Sequence, residues 1–220
     1  MMSDIQNEEM KSEAVQTGGK SKAHHLLTFA VTVIVAWGLG TYAYIYFMPR
    51  LIYNALERTI TQHGITGKTS VDSSAGIPVN TLFAMSELAS PSTVKSNLLE
   101  GANHDTLYTI GWLDLNKEPW VLHVPDMADR YYSIEFVDPW NNVFAYVGRR
   151  TTGTQAGDYL ISGTGWQGAL SEGVTQISSP NNTVLLIGRI LVESDSDLAT
   201  AFDLEKQIKL TPFSQWQLAQ

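Results

Sequence analysis

The chain has no cysteine. That excludes a disulfide framework, thiol catalysis, iron–sulfur clusters and zinc sites with Cys ligands, and it leaves the redox compartment open, since a cysteine-free chain suits either side of a membrane. Basic residues are also in short supply: 14 Lys and Arg stand against 22 Asp and Glu, a formal net charge of −8. Such a surface repels phosphates, and no basic stripe with interleaved aromatics offsets it, so no nucleic-acid partner is expected. Missing too are a GxxxxGK[ST] phosphate loop, a GxSxG nucleophile elbow and HExxH or HxxxH metal spacing, and the glycines at 163, 165 and 168 read as turns around Trp166, since no helix pattern follows them. Neither a metal site nor a cofactor is predicted. With 220 residues and no internal repeat, there is room for one ordinary core plus a short appendage.

The appendage is at the front. Residues 1–25 are polar, of mixed charge and without aromatics, which predicts a disordered tail. Leu26 to Met48 then runs 23 residues without a charge. As a helix it is about 34 Å long at roughly 1.5 Å per residue, enough to cross the hydrocarbon core of a bilayer. Trp37, Tyr42, Tyr44 and Tyr46 load its second half with interface-seeking aromatics, and Pro49–Arg50 closes it. A cleaved signal peptide has a shorter apolar region and small residues at its exit, where this chain has Tyr, Phe and Met, so an uncleaved anchor is the expectation. Lys20 and Lys22 before the span, against a lone Arg50 just after it, place the N-terminus in the cytoplasm by the positive-inside rule.

Past the span, Leu51, Ile52, Ala55, Leu56 and Ile60 recur at helical spacing, so residues 49–62 read as an amphipathic stalk ended by His63–Gly64. A connection rich in Gly, Ser and Thr follows, then a short helix holding Leu82, Phe83 and Leu88 before Ser90–Pro91. Thereafter the pattern is one of strands: Thr106 to Leu115, Trp120 to Val124, Arg130 to Val137, Val143 to Val147, Tyr159 to Ser162 and Thr183 to Val192. The predicted fold is mainly β (α+β), an antiparallel β-sandwich or barrel-like domain over residues 77–210 preceded by one transmembrane helix. A C-terminal helix closes it. Ser194 and Asp197 read as its capping box, Leu198, Ala201, Phe202, Glu205 and Ile208 as its buried face, and Thr211–Pro212 as its stop, with residues 211–220 left as a tail.

A set of short motifs narrows this further: Asn103-His104-Asp105-Thr106-Leu107-Tyr108, Trp112-Leu113-Asp114-Leu115, Val124-Pro125-Asp126, Asp129-Arg130-Tyr131-Tyr132, Asp138-Pro139-Trp140-Asn141-Asn142, Arg150-Thr151-Thr152-Gly153-Thr154 and Gly163-Thr164-Gly165-Trp166. In order and spacing the chain resembles, from Ile77 to Leu210, the bacterial family called domain of unknown function 1254. The resemblance implies a β-rich domain with no settled activity; in a bacterium the anchor then lies in the inner membrane, and the cytoplasmic N-terminus expected from Lys20 and Lys22 puts the globular part in the periplasm. Members often carry a second domain, of unknown function 1214, after the first. Here the sequence stops at Gln220, so the resemblance implies a companion-domain protein on a separate chain, or a homo-oligomer, with Phe213 and Trp216 as anchors. The alternative expectation is that this segment packs back onto its own sheet.

Two functions from different classes follow. The leading one is a binding or assembly module, with Asn103, Trp140, Asn142, Arg149, Arg150 and Thr152 as ligand contacts; two guanidinium groups beside hydroxyls suit an anion. The runner-up is an enzyme for a small polar or anionic substrate, with Asp105, Asp138 and His104 as acid–base candidates and Arg150 as the clamp. The resemblance supports Asn103 and Asp105 more than His104. Each cluster also has a structural reading, in which Asn103 and Asp105 close a turn at a strand entrance and Asp138–Pro139 closes a hairpin. His104, Asp105, His123, Glu135 and Asp138 lack metal-ligand spacing. On alternation, Tyr132, Ile134 and Phe136 face the core, and Tyr131, Ser133 and Glu135 face away. From the uncharged run, the full chain is expected to sediment with membranes and to resist carbonate extraction; release of the intact chain at alkaline pH would contradict the anchor.

Overall fold

The computed structural model of the chain describes residues 2–63, 76–89 and 103–219. Helix α1 (Met2–His63) comes first. It starts inside the stretch expected to be disordered, because Gln, Glu, Met, Lys and Ala are good helix formers and extending an existing helix avoids the cost of a new nucleus. Within α1, His24–Gln62 is long and apolar enough to cross a membrane, and none of its most apolar window is buried. Pro49 sits inside the helix, removing the N–H that would have bonded the carbonyl four residues earlier. At this proline the chain divides into two compact units, residues 1–48 and 49–220.

Among the described residues the second unit has nine strands: β1 (Leu82–Ala84), β2 (Thr106–Asp114), β3 (Trp120–Val124), β4 (Tyr132–Val137), β5 (Val143–Gly148), β6 (Gly157–Ser162), β7 (Val174–Ser178), β8 (Thr183–Leu191) and β9 (Lys209–Pro212). They form a five-stranded sheet in the order β1-β2-β8-β4-β5 and a four-stranded sheet in the order β7-β6-β3-β9. All pairs are antiparallel except β6 with β7. Between the sheets lies the main core, with Leu107, Leu113, Tyr132, Ile134, Phe136, Leu186 and Ile190 from one layer and Leu122, Val124, Tyr159 and Ile161 from the other. The expected β4 alternation is realised.

Three short elements differ from expectation. Leu82 and Phe83, expected in a helix, form β1 and pair with Gly111 and Ile110; β2 has an open edge there, and a Cβ on Gly111 would lie 2.7 Å from the Thr81 carbonyl oxygen, so only glycine admits this approach. Ser90 and Pro91 lie outside the described residues, as do residues 64–75 of the connection. Helix α2 (Leu198–Glu205) ends before Thr211, and Thr211–Pro212 belongs to β9, where Pro212 opposite Trp120 is tolerated at a sheet edge. The short helix α3 (Phe213–Leu218) follows. Phe213 packs with Val121, Leu160 and Val174 on the outer face of the four-stranded sheet, flanked by Trp166 and Trp216.

Local caps also differ. Ser194 makes no side-chain cap bond. Asp197 instead accepts the Glu193 N–H at 3.0 Å and pairs with Arg130 through two contacts of 2.5 and 2.7 Å. The bidentate Arg130 guanidinium holds the Asp197 carboxyl down to about 2.

On its far face the five-stranded sheet is covered by the last turns of α1. Tyr53 and Ile60 are buried there with Leu56 beside them, against Ile110, Trp112, Val137 and Leu185. The Tyr53 ring meets Trp112 edge-on at 5.5 Å. Leu51 and Ile52, at helical spacing with the buried residues, stay 59% and 56% exposed; Leu51 lies on the side of the helix opposite Tyr53, and Ile52 is one turn before Leu56, where that side of the helix begins to pack against the sheet.

Glu205 of α2 is 1% exposed. Its Oε1 accepts the Thr109 hydroxyl at 2.6 Å, while Oε2 makes no hydrogen bond within 3.5 Å among the described residues. Burial pushes its carboxyl up to about 7, against the opposing pull of the Thr109 hydroxyl and the Met85 backbone. A folded-state value above the unfolded one means that folding takes up a proton: the domain keeps this group's full contribution below the ordinary carboxylate range and loses it as pH rises through about 7. Glu205→Gln should therefore melt higher than the parent near about pH 8, by something on the order of 3 kcal/mol, with the gap closing near about pH 5. Parallel pH profiles for the two proteins would contradict this.

Candidate functional site

The covering helix leaves part of the five-stranded sheet's outer face open. Outward residues of β4 and β8 are Ser133 and Glu135, and Ile187 and Arg189, because their neighbours occupy the core. Ser133, Glu135 and Arg189 form a concavity of about 360 Å³ with Tyr131, Tyr146 and Arg150, while Ile187 packs with the cluster under α1. Register assembles it: Ser133 lies opposite Gly148 and Arg189, and Glu135 opposite Tyr146 and Ile187. Gly148 is required in this wall, since a Cβ there would come within 2.7 Å of the Tyr132 carbonyl oxygen.

Arg189 is spoken for. Its Nη2 donates to Glu135 Oε1 at 3.0 Å, a diagonal cross-strand pair, and its guanidinium lies 5.7 Å from the centre of the Tyr108 ring. Arg150 differs: it lies 5.7 Å over the Tyr131 ring, and among the described residues no carboxylate forms an ion pair with it. The rim thus carries an exposed cation on an aromatic shelf, above a wall holding a fixed ion pair. Chemically this can grip an anionic group and stack an apolar or sugar-like body.

Of the ligand-contact and acid–base residues expected from sequence, Arg150 alone lines this concavity, joined by Glu135 from the carboxylates and histidines weighed for metal spacing. At the entrance to β2, Asn103, His104 and Asp105 are exposed. The Asn103 N–H donates to Tyr108 Oη at 2.8 Å, His104 Nδ1 is 3.0 Å from the Ala89 carbonyl, and the Asp105 carbonyl accepts the Val192 N–H at 2.7 Å. Asp138 is 5% exposed and closes the β4–β5 hairpin: its Oδ1 accepts the N–H groups of Trp140 and Asn142 at 2.9 Å each, and Oδ2 the Asn142 amide at 3.2 Å. Asn141 takes the left-handed conformation of that turn, φ +65°. Arg149 pairs with Asp129 at 3.0 Å, and Thr152 Oγ1 accepts the Gly148 N–H at 3.1 Å. Trp140 lies under the Arg50 guanidinium at 5.5 Å.

Register separates the acid–base candidates. Thr106, next to Asp105, pairs with Leu191, and Val137, next to Asp138, pairs with Leu185. Their neighbours Thr106 and Val137 are thus about 20 Å apart along β8 at roughly 3.3 Å per residue, and Asp105 and Asp138 lie beyond them at opposite ends, so the two carboxylates do not share one substrate atom. His123 pairs with Asp158 at 2.7 Å on the other sheet. Among the described residues no three His, Asp or Glu side chains gather as a metal set. Sequence reasoning missed Arg189 and Tyr146. A signal for Arg189 existed: it is the single charge within the apolar run Thr183–Leu191, and a charge inside a strand needs a partner such as Glu135.

The sequence profile described as "Protein of unknown function (DUF1254)" matches residues 79–212. The chain belongs to this family. Its DUF1254 domain is similar to the crystal structure of the VPA0106 protein from Vibrio parahaemolyticus, with 27% identity and a TM-score of 0.58 over 80% of this chain and 38% of that one. This chain thus spans well under half the length of that protein. An uncharacterised protein from Burkholderia cenocepacia is 8% identical with a TM-score of 0.37, over 60% of this chain and 34% of that one, too distant to carry an argument. No curated protein matches. From the DUF1254 hairpin geometry, Asp138→Ala should cost about 1–3 kcal/mol by stranding the N–H groups of Trp140 and Asn142, read as a lower melting temperature; an unchanged melting temperature would remove the turn-closing role.

Proposed function

We propose that this protein is a binding module fixed to the bacterial inner membrane by Leu26 to Met48, with its N-terminus in the cytoplasm and its DUF1254 domain in the periplasm. The ligand site is the concavity on the outer face of the five-stranded sheet. Its ligand is a small molecule bearing a carboxylate or phosphate, gripped by Arg150 and lying against Tyr131 and Tyr146. One observation carries this reading: Arg130, Arg149 and Arg189 each have a carboxylate partner, whereas Arg150, with none among the described residues, lines the rim of a concavity. A guanidinium offers a planar fork suited to bidentate contact with such anions. Tyrosines supply the apolar wall that small-molecule sites favour.

Assembly with a companion-domain protein or a second copy is the second reading. It draws on Leu218, which α3 leaves 89% exposed, and on Trp216 beside it; Phe213 is engaged with its own sheet. The enzyme reading with Asp105 and Asp138 draws no support from their separation.

Thermal-shift and calorimetric titrations of the detergent-solubilised full chain with phosphate and with di- and tricarboxylates test the leading reading. Arg150→Ala should weaken binding by roughly ten- to a hundredfold, the loss of about 1.5–3 kcal/mol of charge-assisted hydrogen bonding, at an unchanged melting temperature. Equal affinity in parent and variant would overturn it.

A further inference from the structure

We infer that a second concavity, at the end of the four-stranded sheet beside α3, binds a neutral sugar unit of a glycan. Its volume is about 440 Å³, within the range of small-molecule sites, about 300–1,000 Å³. It shares no lining residue with the concavity that holds Arg150, so it stands independently of the anion reading. Strand register builds it. Asp114 at the end of β2 lies opposite Thr183, and Trp120 at the start of β3 lies between Ile161 of β6 and Pro212 of β9. The β2–β3 loop, the loop after β6, Asn182 and α3 therefore converge on one end of the two sheets.

Part of the lining is a fixed chain of amides. Asn116 Nδ2 donates to Asp114 Oδ1 at 2.6 Å, and Asn182 Nδ2 donates to Asn116 Oδ1 at 3.1 Å. Asn182 Oδ1 in turn accepts the N–H and the hydroxyl of Thr164 at 2.8 and 2.9 Å. Side chains already held by one another lose little freedom when a ligand arrives. Trp166 lines the same space. Its ring is edge-on to Phe213 at 5.8 Å and hemmed by Gly168, where a Cβ would come within 2.4 Å of the indole. Other groups keep unused capacity. Glu118 Oε2 accepts the Ser214 N–H at 2.9 Å, while among the described residues its Oε1 makes no hydrogen bond. Among those residues Lys117 also forms no ion pair, and both it and Gln217 line the concavity. A pyranose carries hydroxyls that donate and accept, on a ring whose C–H faces are apolar. Amides match the hydroxyls because they too do both, a carboxylate oxygen accepts from them, an ammonium donates to them, and an indole covers the C–H face. Charge selects the class: Lys117 stands next to Glu118, and Asp114 anchors the amide chain. The cation here is balanced, unlike Arg150, and an uncharged ligand is favoured.

The full chain in lipid nanodiscs, free of sugar-headed detergent, is probed with cellobiose, maltose and N,N′-diacetylchitobiose by saturation-transfer NMR and calorimetry. At least one of these disaccharides should receive saturation and bind. Lys117→Ala and Gln217→Ala, combined in one chain, should weaken that binding by roughly tenfold or more through lost hydrogen bonds, at an unchanged melting temperature. Arg150→Ala should leave it untouched, and in the Arg150→Ala chain glucuronate should bind more weakly than the disaccharide. Absence of transfer to every one of these sugars would overturn the inference, as would binding that survives in the double variant. Loss of binding in Arg150→Ala would move the sugar to the other concavity and overturn it too. Tighter binding of glucuronate than of the disaccharide in the Arg150→Ala chain would overturn the choice of a neutral ligand.

Discussion

The five-stranded sheet has two apolar faces, and the second cannot be left in water. Ile110, Trp112, Val137 and Leu185 point away from the sandwich core, and each such side chain is worth about 1.5–3 kcal/mol when buried. Their cover comes from the last turns of α1, the same helix whose earlier residues form the apolar run. Pro49 lies within this helix, and the chain divides there into its two units. The Tyr53–Trp112 contact joins the helix to the sheet at the middle of that surface.

What the helix does not cover becomes the site. Tyr53, Leu56 and Ile60 reach across β2 and the near ends of β4 and β8, and the remaining outward positions carry polar and aromatic residues instead of aliphatic ones. Arg189 and Glu135 satisfy each other there, which is how a strand buried on its inner face can hold a charge on its outer one. Arg150, contributed by the turn after β5, completes the rim. On this sheet the packed surface serves stability, and the open surface is the one proposed for binding.

The four-stranded sheet meets the same requirement with less material. Its outer face is covered by Phe213 and the aromatic pair Trp166 and Trp216, with Phe213 edge-on to Trp166 at 5.8 Å and stacked on Trp216 at 6.3 Å. The C-terminal segment is thus part of the fold. Between the layers, Glu205 is a buried carboxyl in a mainly apolar interior, held by the hydroxyl of Thr109.

Periodicity in the sequence was enough for the long elements. The uncharged run, the alternation along β4 and the buried face of α2 follow from local spacing, since a helix or strand repeats its faces regardless of what lies opposite. The family, too, was legible in short ordered motifs. Tertiary structure decided the rest. Strands β1, β7 and β9 are three to five residues long and exist because a longer neighbour offers them an edge. Whether Leu51 or Tyr53 faces the sheet depends on which turn of α1 meets Trp112. Asp105 and Asp138 flank the same sheet in sequence, and only the register of β8 puts them at opposite ends. Arg189 and Arg150 are 39 positions apart, and only strand pairing between β4, β5 and β8 brings them to one concavity. Sequence spacing sets which way a side chain points along its own strand; which strands lie side by side is set by non-local burial, and the site is made of that adjacency.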